Sequence, residues 1–353
     1  MIDKRANVIG LGLIGGSIAL GLRAEGWHVS GDDLDPARLA FARQSGVIDA
    51  ADLDPDAVIT FVAVPVLAIA DQAKRALAET AGVVTDVGSV KGSVCRSIDD
   101  PRFLGGHPMA GSELDGLDGA QADMFAGAVW VLTPGADIDD STFATVRWVV
   151  SSLGADVVAI DPERHDHLVA VVSHVPHLTA ATLMGLASTR AEEHAALLRL
   201  AAGGFRDMTR VASGQPAIWL DICAENRPAI LDALDELIDG LAALRGIIGT
   251  DDREALLDRL TAARQARTNL PTRVVHPEDM AEVRIPIPDR TGAAAEVFTL
   301  AAELGVNIAS FEVVHVVESN RGVAVVMIDQ TMVELFRGGL IARGFRPAVH
   351  SLS

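Results

Sequence analysis

The chain has 353 residues, of which 49% are hydrophobic, which allows two or three domains with buried cores. Its 48 acidic residues outnumber its 29 basic ones, and the formal net charge of −19 disfavours binding to nucleic acid or anionic lipid. Two cysteines, Cys95 and Cys223, provide neither a disulfide framework nor a CxxC metal site, so we expect a cytoplasmic protein.

The apolar run at 8–22, preceded by Lys4 and Arg5, imitates a signal peptide. It carries five glycines and is shorter than the ~18 apolar residues that a membrane span needs. We therefore expect folded protein there, with no targeting segment and no membrane partner.

The first 160 residues alternate short apolar runs with helical patterns. Strands are expected at 8–11, 27–31, 58–64 and 83–87, and a helix at 17–25. This alternation is typical of a Rossmann-type, doubly wound α/β domain, in which helices cover both faces of a parallel sheet. We predict such a domain over residues 1–160.

The rest of the chain indicates two further domains. Residues 161–268 are rich in alanine and leucine with long helical periods, which predicts an all-helical domain. Two prolines and several polar residues indicate a linker at 269–280. Residues 281–353 show the order β-α-β-β-α-β, which is typical of a small ferredoxin-like module.

The turn after the first strand contains the pattern Gly10-x-Gly12-x-x-Gly15. Because it lies between a predicted strand and a predicted helix, it indicates a dinucleotide site. Gly10 permits a tight turn, Gly12 lets the backbone approach a pyrophosphate, and Gly15 lets helix and strand pack closely. N–H groups at the helix start, which includes Leu13 and Ile14, are then available to phosphates.

An acidic residue follows the second strand. Asp33 lies 18 positions after Gly15, near the spacing at which a carboxylate accepts hydrogen bonds from the ribose hydroxyls. The same carboxylate repels a 2′-phosphate, so we expect NAD rather than NADP as the cofactor. Asp32 is a candidate to share or replace that role, and a glycine turn with a capping aspartate is the structural alternative.

A histidine stands in the glycine-rich stretch GGHPMAGSELDG at 105–116, where alone it would indicate a surface loop. This stretch and TDVGSVKG at 85–92 both follow strand patterns, and substrates bind at the carboxyl ends of parallel strands. The helical region adds SHVPHLTA at 173–180 and GGFRDMTRVASGQPAIWLDICAEN at 203–226.

The chain resembles the prephenate dehydrogenase family in the order and spacing of six segments. They are GLGLIGGS, DVGSVKG, GGHPMAGSE, SHVPH, GFRDMTR and the P-x-x-W that ends at Trp219. The resemblance covers residues 6 to about 265. It implies oxidative decarboxylation of prephenate to 4-hydroxyphenylpyruvate with NAD, in tyrosine biosynthesis. It also implies that the helical domain pairs with its copy in a homodimer.

The resemblance assigns the chemistry to two side chains. His107 matches the family's catalytic histidine and would accept the proton of the substrate's ring hydroxyl, which suits an imidazole with an ordinary pKa near 6.5. Pro108 restricts the backbone of His107, and the flanking glycines are expected to keep bulk away from the cofactor. Ser89 would hydrogen-bond the same hydroxyl or hold the histidine; a simple turn serine is the alternative. Lys91 is expected to be mainly a structural or cofactor-side cation.

The substrate that the resemblance implies is a dianion, so an acidic protein must supply cations. Arg210 matches the family arginine that binds the ring carboxylate, for which a planar guanidinium is suited. Arg206 would pair with Glu113 to close the pocket. An arginine in an ion pair on a helix surface is the alternative for Arg210.

Further substrate contacts are assigned from the same family pattern: Ser173, His177, Gly203 and Trp219. Ordinary core packing is the alternative for His177 and Trp219, and His174 is expected in the core or in a supporting role. Val64 and Pro65 complete the predicted cofactor site. The HxH pair His165 and His167 would point to different faces of a helix, so no metal site is predicted.

The tail resembles an ACT domain, a module that commonly binds amino acids. Asp289, Gly292 and Asn307 are the candidate effector residues, with tyrosine as the natural effector; a module used only for assembly is the alternative. For the whole chain, the alternatives are arogenate as the substrate, a regulatory protein that has lost catalysis, and a general β-hydroxyacid dehydrogenase.

Overall fold

The computed structural model describes residues 4–111, 114, 116–135, 138–193, 200–269, 280–288, 290, 292–315 and 321–351. The chain forms two compact units, Met1–Gly246 and Ile247–Ser353. All the described candidate residues for catalysis, substrate and cofactor lie in the first unit.

An eight-stranded sheet organises the first unit. In chain order, its strands are Arg5–Ile9 (β1), His28–Asp32 (β2), Ala50–Ala51 (β3), Ile59–Val62 (β4), Val83–Asp86 (β5), Phe103–Pro108 (β6), Val129–Thr133 (β7) and Asp156–Ala159 (β8). Their order in the sheet is β3-β2-β1-β4-β5-β6-β7-β8. Because β6 and β7 pair antiparallel, the last two strands run opposite to the first six, and the predicted parallel sheet is in fact mixed.

Helices cover this sheet on both sides. They are Leu13–Ala24 (α1), Pro36–Gln44 (α2), Val66–Glu79 (α3), Gly92–Ser97 (α4) and Asp140–Ser152 (α5). The sequence marks some starts clearly: α2 begins at Pro36 because Asp35 caps it, accepting hydrogen bonds from the N–H groups of Ala37 and Arg38.

Alternate strand residues face opposite sides of the sheet. On β1, for example, Val8 packs in one hydrophobic cluster with Ile18 of α1, whereas Ile9 packs in another with Ile69 of α3. Burial on both faces explains why the strands read as nearly continuous apolar runs.

Helices follow the sheet. They are Pro162–Val169 (α6), Val175–Glu193 (α7), Gly203–Thr209 (α8), Pro216–Glu225 (α9), Arg227–Gly249 (α10) and Arg253–Thr268 (α11), and a π-helical turn, Ala170–His174, joins α6 to α7. Many of their large apolar side chains are exposed, including Val172, Leu220, Ile238 and Leu241. Among the described residues, one helical stretch, Pro162–Arg190, is long and apolar enough to cross a membrane, with 28% of its window buried.

The second unit contains a four-stranded antiparallel sheet in the order β10-β11-β9-β12, built from Met280–Pro288 (β9), Ile308–His315 (β10), Arg321–Asp329 (β11) and Ala348–Ser351 (β12). Two helices, Ala293–Leu304 (α12) and Val333–Ala342 (α13), pack on it through a core that includes Val297, Phe336 and Val326. The chain order is β-α-β-β-α-β, and α12 starts after Gly292, whose φ of +89° favours glycine.

Candidate active site

The glycine-rich turn connects β1 to α1, and its three glycines meet different surroundings. Gly10 has a φ of +90°, and a Cβ there would collide with the carbonyl oxygen of Ala63. A Cβ on Gly15 would collide with the carbonyl oxygen of Gly10. A Cβ on Gly12, in contrast, would have no heavy atom within 4 Å. Gly10 and Gly15 therefore hold the turn together, whereas Gly12 leaves an open approach to the backbone.

Helix α1 begins at this opening. Gly12 is its N-cap residue and supplies no side-chain cap to the first N–H groups of the helix, which starts with Leu13 and Ile14. Val64 lies against Gly10, and Pro65 precedes α3 at the end of the neighbouring strand. A helix start with a positive dipole and no bulky side chain fits a diphosphate.

Asp33 lies beside the same turn. Its carboxylate accepts a hydrogen bond of 2.7 Å from the N–H of Leu11, and it also accepts bonds of 3.2 Å from Arg38. Asp32 points elsewhere and pairs with Arg75 of α3 at 2.7 Å. Of the two acids, Asp33 is thus the one that sits on the glycine-rich turn, where a ribose would lie. These residues fit a dinucleotide.

His107 lies on strand β6 itself, where the sequence had indicated a loop, and only 9% of it is exposed. The glycines before it are closely packed, and their predicted role of keeping bulk away from the cofactor stays a prediction. A Cβ on Gly105 would collide with the hydroxyl of Thr133, and a Cβ on Gly106 would lie 2.7 Å from the carbonyl oxygen of Asp86. These two oxygen atoms, which would collide with the Cβ atoms, belong to the neighbouring strands β7 and β5.

A buried ion pair supports the strand from the loop that follows β5. Lys91 and Asp86 are in direct contact, and neither side chain is exposed. The Asp86 carboxylate also accepts hydrogen bonds from the N–H groups of Gly88, at 2.8 Å, and Gly106, at 3.2 Å. Lys91 is therefore held in a buried ion pair, and Asp86 ties the DVGSVKG loop to the strand that carries His107.

A chain of hydrogen bonds leads from His107 to helix α6. Nδ1 of His107 lies 2.9 Å from Nε2 of His165, and Nδ1 of His165 lies 2.8 Å from Oδ1 of Asp166. The Asp166 carboxylate accepts two further bonds of 2.8 Å, from the N–H groups of Lys91 and Gly92. Both α6 side chains are buried, with 1% of His165 and 5% of Asp166 exposed.

The surroundings of His107 favour its neutral form. Burial lowers its pKa well below the usual 6.5, and the nearby His165, Lys91 and His174 lower it further. Burial is the largest cause, because a buried imidazolium loses its hydration. His107 is thus available to accept a proton at neutral pH.

Helices α7 and α9 bring together two of the predicted substrate residues. The rings of His177 and Trp219 are stacked, with centroids 3.6 Å apart and planes 12° apart. His174 is buried, as expected, beside Trp219 and Asn226, and burial lowers its pKa to about 4. Ser173 is half-buried in the turn, and π-helical turns are frequent at functional sites.

The remaining assigned residues are more exposed. Ser89 is half-buried in the loop after β5, Gly203 begins α8, and Arg210 is exposed at the end of that helix. Arg206 is also exposed and donates a hydrogen bond of 3.2 Å to the carbonyl oxygen of Ala201. Its predicted partner Glu113 lies outside the described residues.

Sequence reasoning missed His165 and Asp166 as part of the site. The HxH pattern was considered only for metal binding, and the two rings do face opposite ways: His167 is exposed and bonds the carbonyl oxygen of Glu163. Asn226 was missed as well; its amide donates to the carbonyl oxygen of Asp166 at 2.8 Å. Only the position of Asp166 between His165 and His167 hinted at such a network.

Comparison with known proteins matches two parts of the chain to one family. Residues 18–159 match the nucleotide-binding domain of prephenate dehydrogenases, and residues 161–262 match their dimerization domain. Prephenate dehydrogenase of Bacillus subtilis is 33% identical over 330 residues, which are 89% of each chain. Cyclohexadienyl dehydrogenase of Zymomonas mobilis is 32% identical over 285 residues, 77% of this chain and 97% of that protein.

Solved structures give the same result. Prephenate dehydrogenase from A. aeolicus, in complex with hydroxyphenyl propionate and NAD+, is 28% identical with a TM-score of 0.72, over 77% of this chain and 99% of that one. Synechocystis arogenate dehydrogenase is 30% identical with a TM-score of 0.66, over 76% of this chain and 100% of that one. The chain therefore belongs to the prephenate dehydrogenase family of NAD-dependent oxidoreductases.

Proposed function

We propose that this protein catalyses the oxidative decarboxylation of prephenate to 4-hydroxyphenylpyruvate, in tyrosine biosynthesis. The observation that carries the proposal is His107, a buried neutral imidazole placed on the same sheet as a glycine-rich turn that fits a dinucleotide. The names of the relatives support the same reaction.

His107 takes the proton of the ring hydroxyl at Nε2, because its Nδ1 is occupied by His165. Loss of this proton makes the C4 hydride easier to remove. The product keeps a phenolic hydroxyl, so His107 returns the proton when the ring becomes aromatic and CO2 leaves. Ser89 hydrogen-bonds the same hydroxyl.

We assign the cofactor to the glycine-rich turn. Gly12 and the first N–H groups of α1, including Leu13 and Ile14, hold the diphosphate, and Asp33 accepts hydrogen bonds from the ribose. Val64 and Pro65 line the same site. When bound there, NAD+ would accept the hydride.

The substrate contacts come from the helical region. Arg210 binds the ring carboxylate through its planar guanidinium. The stacked pair His177 and Trp219, with Ser173 and Gly203, forms the wall around the substrate side chain. Arg206 closes the pocket with Glu113.

Arogenate is the second candidate substrate. It differs from prephenate in carrying an amino acid rather than a keto acid side chain, so the same ring chemistry applies. Two similar proteins are named cyclohexadienyl dehydrogenase and arogenate dehydrogenase, which supports keeping this alternative.

We further propose a cytoplasmic homodimer with a nucleotide-binding domain at 1–160, a helical domain at 161–268, a linker at 269–280 and a regulatory ACT domain at 281–353. The exposed apolar side chains of the helical region support pairing with a second copy. In the second unit, the left-handed Gly292 and the exposed Asn307 support an amino acid site, for which tyrosine is the candidate. Asp289, the third residue assigned to that site, lies outside the described residues.

The test is a direct assay of the purified full-length protein. Prephenate or arogenate is mixed with NAD+ or NADP+, and formation of the reduced cofactor is followed by absorbance. We expect the fastest turnover with prephenate and NAD+, and inhibition when tyrosine is added. An absence of turnover with both substrates would overturn the proposed function, and rates independent of tyrosine would overturn the effector assignment alone.

A further inference from the structure

His165 and Asp166 form a buried arrangement behind His107, of which the reaction above uses only the contact of His165 with Nδ1. His165 is the partner of His107, and Asp166 is the partner of His165, so the three side chains lie in one line of hydrogen bonds. Because a buried polar pair costs free energy unless it is fully hydrogen-bonded, an assembly of this kind behind a reacting histidine calls for a chemical reason.

The direction of each hydrogen bond follows from Asp166, at the end of the line farthest from His107. Both oxygens of Asp166 accept main-chain N–H groups, which can only donate, and its carboxylate also accepts from His165. His165 therefore carries a proton on Nδ1, and a neutral imidazole with that proton has an unprotonated Nε2. We take His165 as neutral, so its Nε2 atom accepts and Nδ1 of His107 is the donor.

We infer that His165 and Asp166 are positioning residues that fix the tautomer of His107, with hydrogen on Nδ1 and a free lone pair on Nε2. Only this tautomer can take a proton through Nε2. The inference rests on the proposed function, in which His107 accepts the hydroxyl proton. It adds two residues to the machinery without giving either one a contact with substrate.

The same line can spread the charge that arises during the reaction. When a proton reaches Nε2 of His107, the Nδ1 proton can move to Nε2 of His165, which leaves the positive charge next to Asp166. The charged groups near the two rings make this shift favourable: Lys91 opposes a positive charge on His107, whereas the carboxylate beside His165 attracts one. The Lys91 charge is itself paired with Asp86. Each proton returns by the same path, so none is gained or lost.

The first test is spectroscopic and does not depend on activity. NMR of isotope-labelled histidine in the wild-type protein at neutral pH should show the His107 ring with hydrogen on Nδ1 and none on Nε2. The opposite tautomer in the wild-type protein would overturn the inference. If turnover were absent but this tautomer were found, the proposed function would fail and the structural inference would stand.

The second test uses a matched pair of substitutions. His165→Asn keeps a donor near Asp166 but is too short to reach His107, whereas His165→Gln is long enough to offer His107 an acceptor again. For His165→Asn, we expect a kcat lower by at least about 10-fold, but by less than the ~10²–10⁴-fold that a general base contributes. KM should change little, the acid limb of the pH profile should move, and His165→Gln should recover part of kcat.

His167→Gln is the control, because it alters an exposed histidine on the same helix that bonds only its own helix backbone among the described residues. It should retain wild-type kcat and pH profile. The inference is wrong if His165→Asn retains wild-type kcat and the Nδ1-protonated ring of His107. Thermal unfolding of each variant shows whether a substitution lowers kcat only by destabilising the fold. For such a variant, the inference is judged by the wild-type NMR result.

Discussion

At the scale of single residues, the central property of this protein is an imidazole kept neutral by its surroundings. His107 is buried on a strand, close to two other histidines and a lysine, and all of these lower its pKa. A surface histidine with the same sequence neighbours would titrate near pH 6.5. Burial therefore changes the pH range in which this side chain can accept a proton.

A pH dependence follows from that shift. In the proposed reaction His107 acts unprotonated, and a lowered pKa keeps it unprotonated as pH falls through 6.5. We expect kcat/KM to stay level from neutral pH to below 6.5 and to decline only at more acidic pH. His107→Asn should reduce kcat by about 10²–10⁴-fold and abolish this acid limb. Steady-state rates across the pH range measure this. A fall of the wild-type kcat/KM that began above pH 6.5 would contradict the assignment, and so would a His107→Asn variant that kept the acid limb.

At the scale of elements, the glycines in the turn from β1 to α1 differ in what surrounds them. Gly15 is needed because the helix approaches the carbonyl oxygen of Gly10, whereas Gly12 faces open space. Two neighbouring glycines of one motif therefore have different physical reasons for being glycine.

This difference predicts opposite results for two alanine substitutions. Gly15→Ala should lower the unfolding temperature of the cofactor-free protein by several degrees, because overpacking costs about 1–3 kcal/mol. Gly12→Ala should leave that temperature unchanged but weaken NAD+ binding by at least about 10-fold, equivalent to about 1.4 kcal/mol. Thermal unfolding and titration with NAD+ measure the two effects. Equal unfolding temperatures for both variants would contradict the packing argument, and unchanged NAD+ affinity in Gly12→Ala would contradict the phosphate assignment.

At the scale of the whole molecule, the helical region of the first unit exposes more apolar surface than a lone chain in water favours. On α10, Leu231, Ile238 and Leu241 are 52%, 57% and 55% exposed, and their spacing of seven and three residues places them on one side of the helix. A second copy of the chain would cover such a stripe.

The double substitution Ile238→Glu and Leu241→Glu should therefore convert the proposed dimer into a monomer, because buried unpaired carboxylates are costly. Light scattering coupled to size-exclusion chromatography would show the mass halved. Phe41→Glu is the matched control, since Phe41 is similarly exposed, at 49%, but lies on α2 beside the sheet. A wild-type monomer, or a dimer that survives the double substitution, would remove α10 from the interface.

The sequence by itself determined the elements whose signals are local. The alternation of apolar runs predicted the α/β sheet with its helices, Gly10, Gly12 and Gly15 predicted the nucleotide turn, and the motifs predicted the family. Each of these signals arises from neighbours along the chain, such as a turn that needs glycine or a strand that is buried on both faces.

Only the tertiary structure decided how distant segments meet. The reversal of β7 and β8 depends on strand pairing, and His107 meets His165 across 58 positions of sequence. Lys91 and Gly92 then hold Asp166 across 75 and 74 positions. Nothing in the local pattern PERHDHL encodes these partners, because periodicity shows which side of a helix is buried but not what that side contacts. The packing of α6 against the loop after β5 places His165, which the sequence offered only as half of an HxH pair, beside His107.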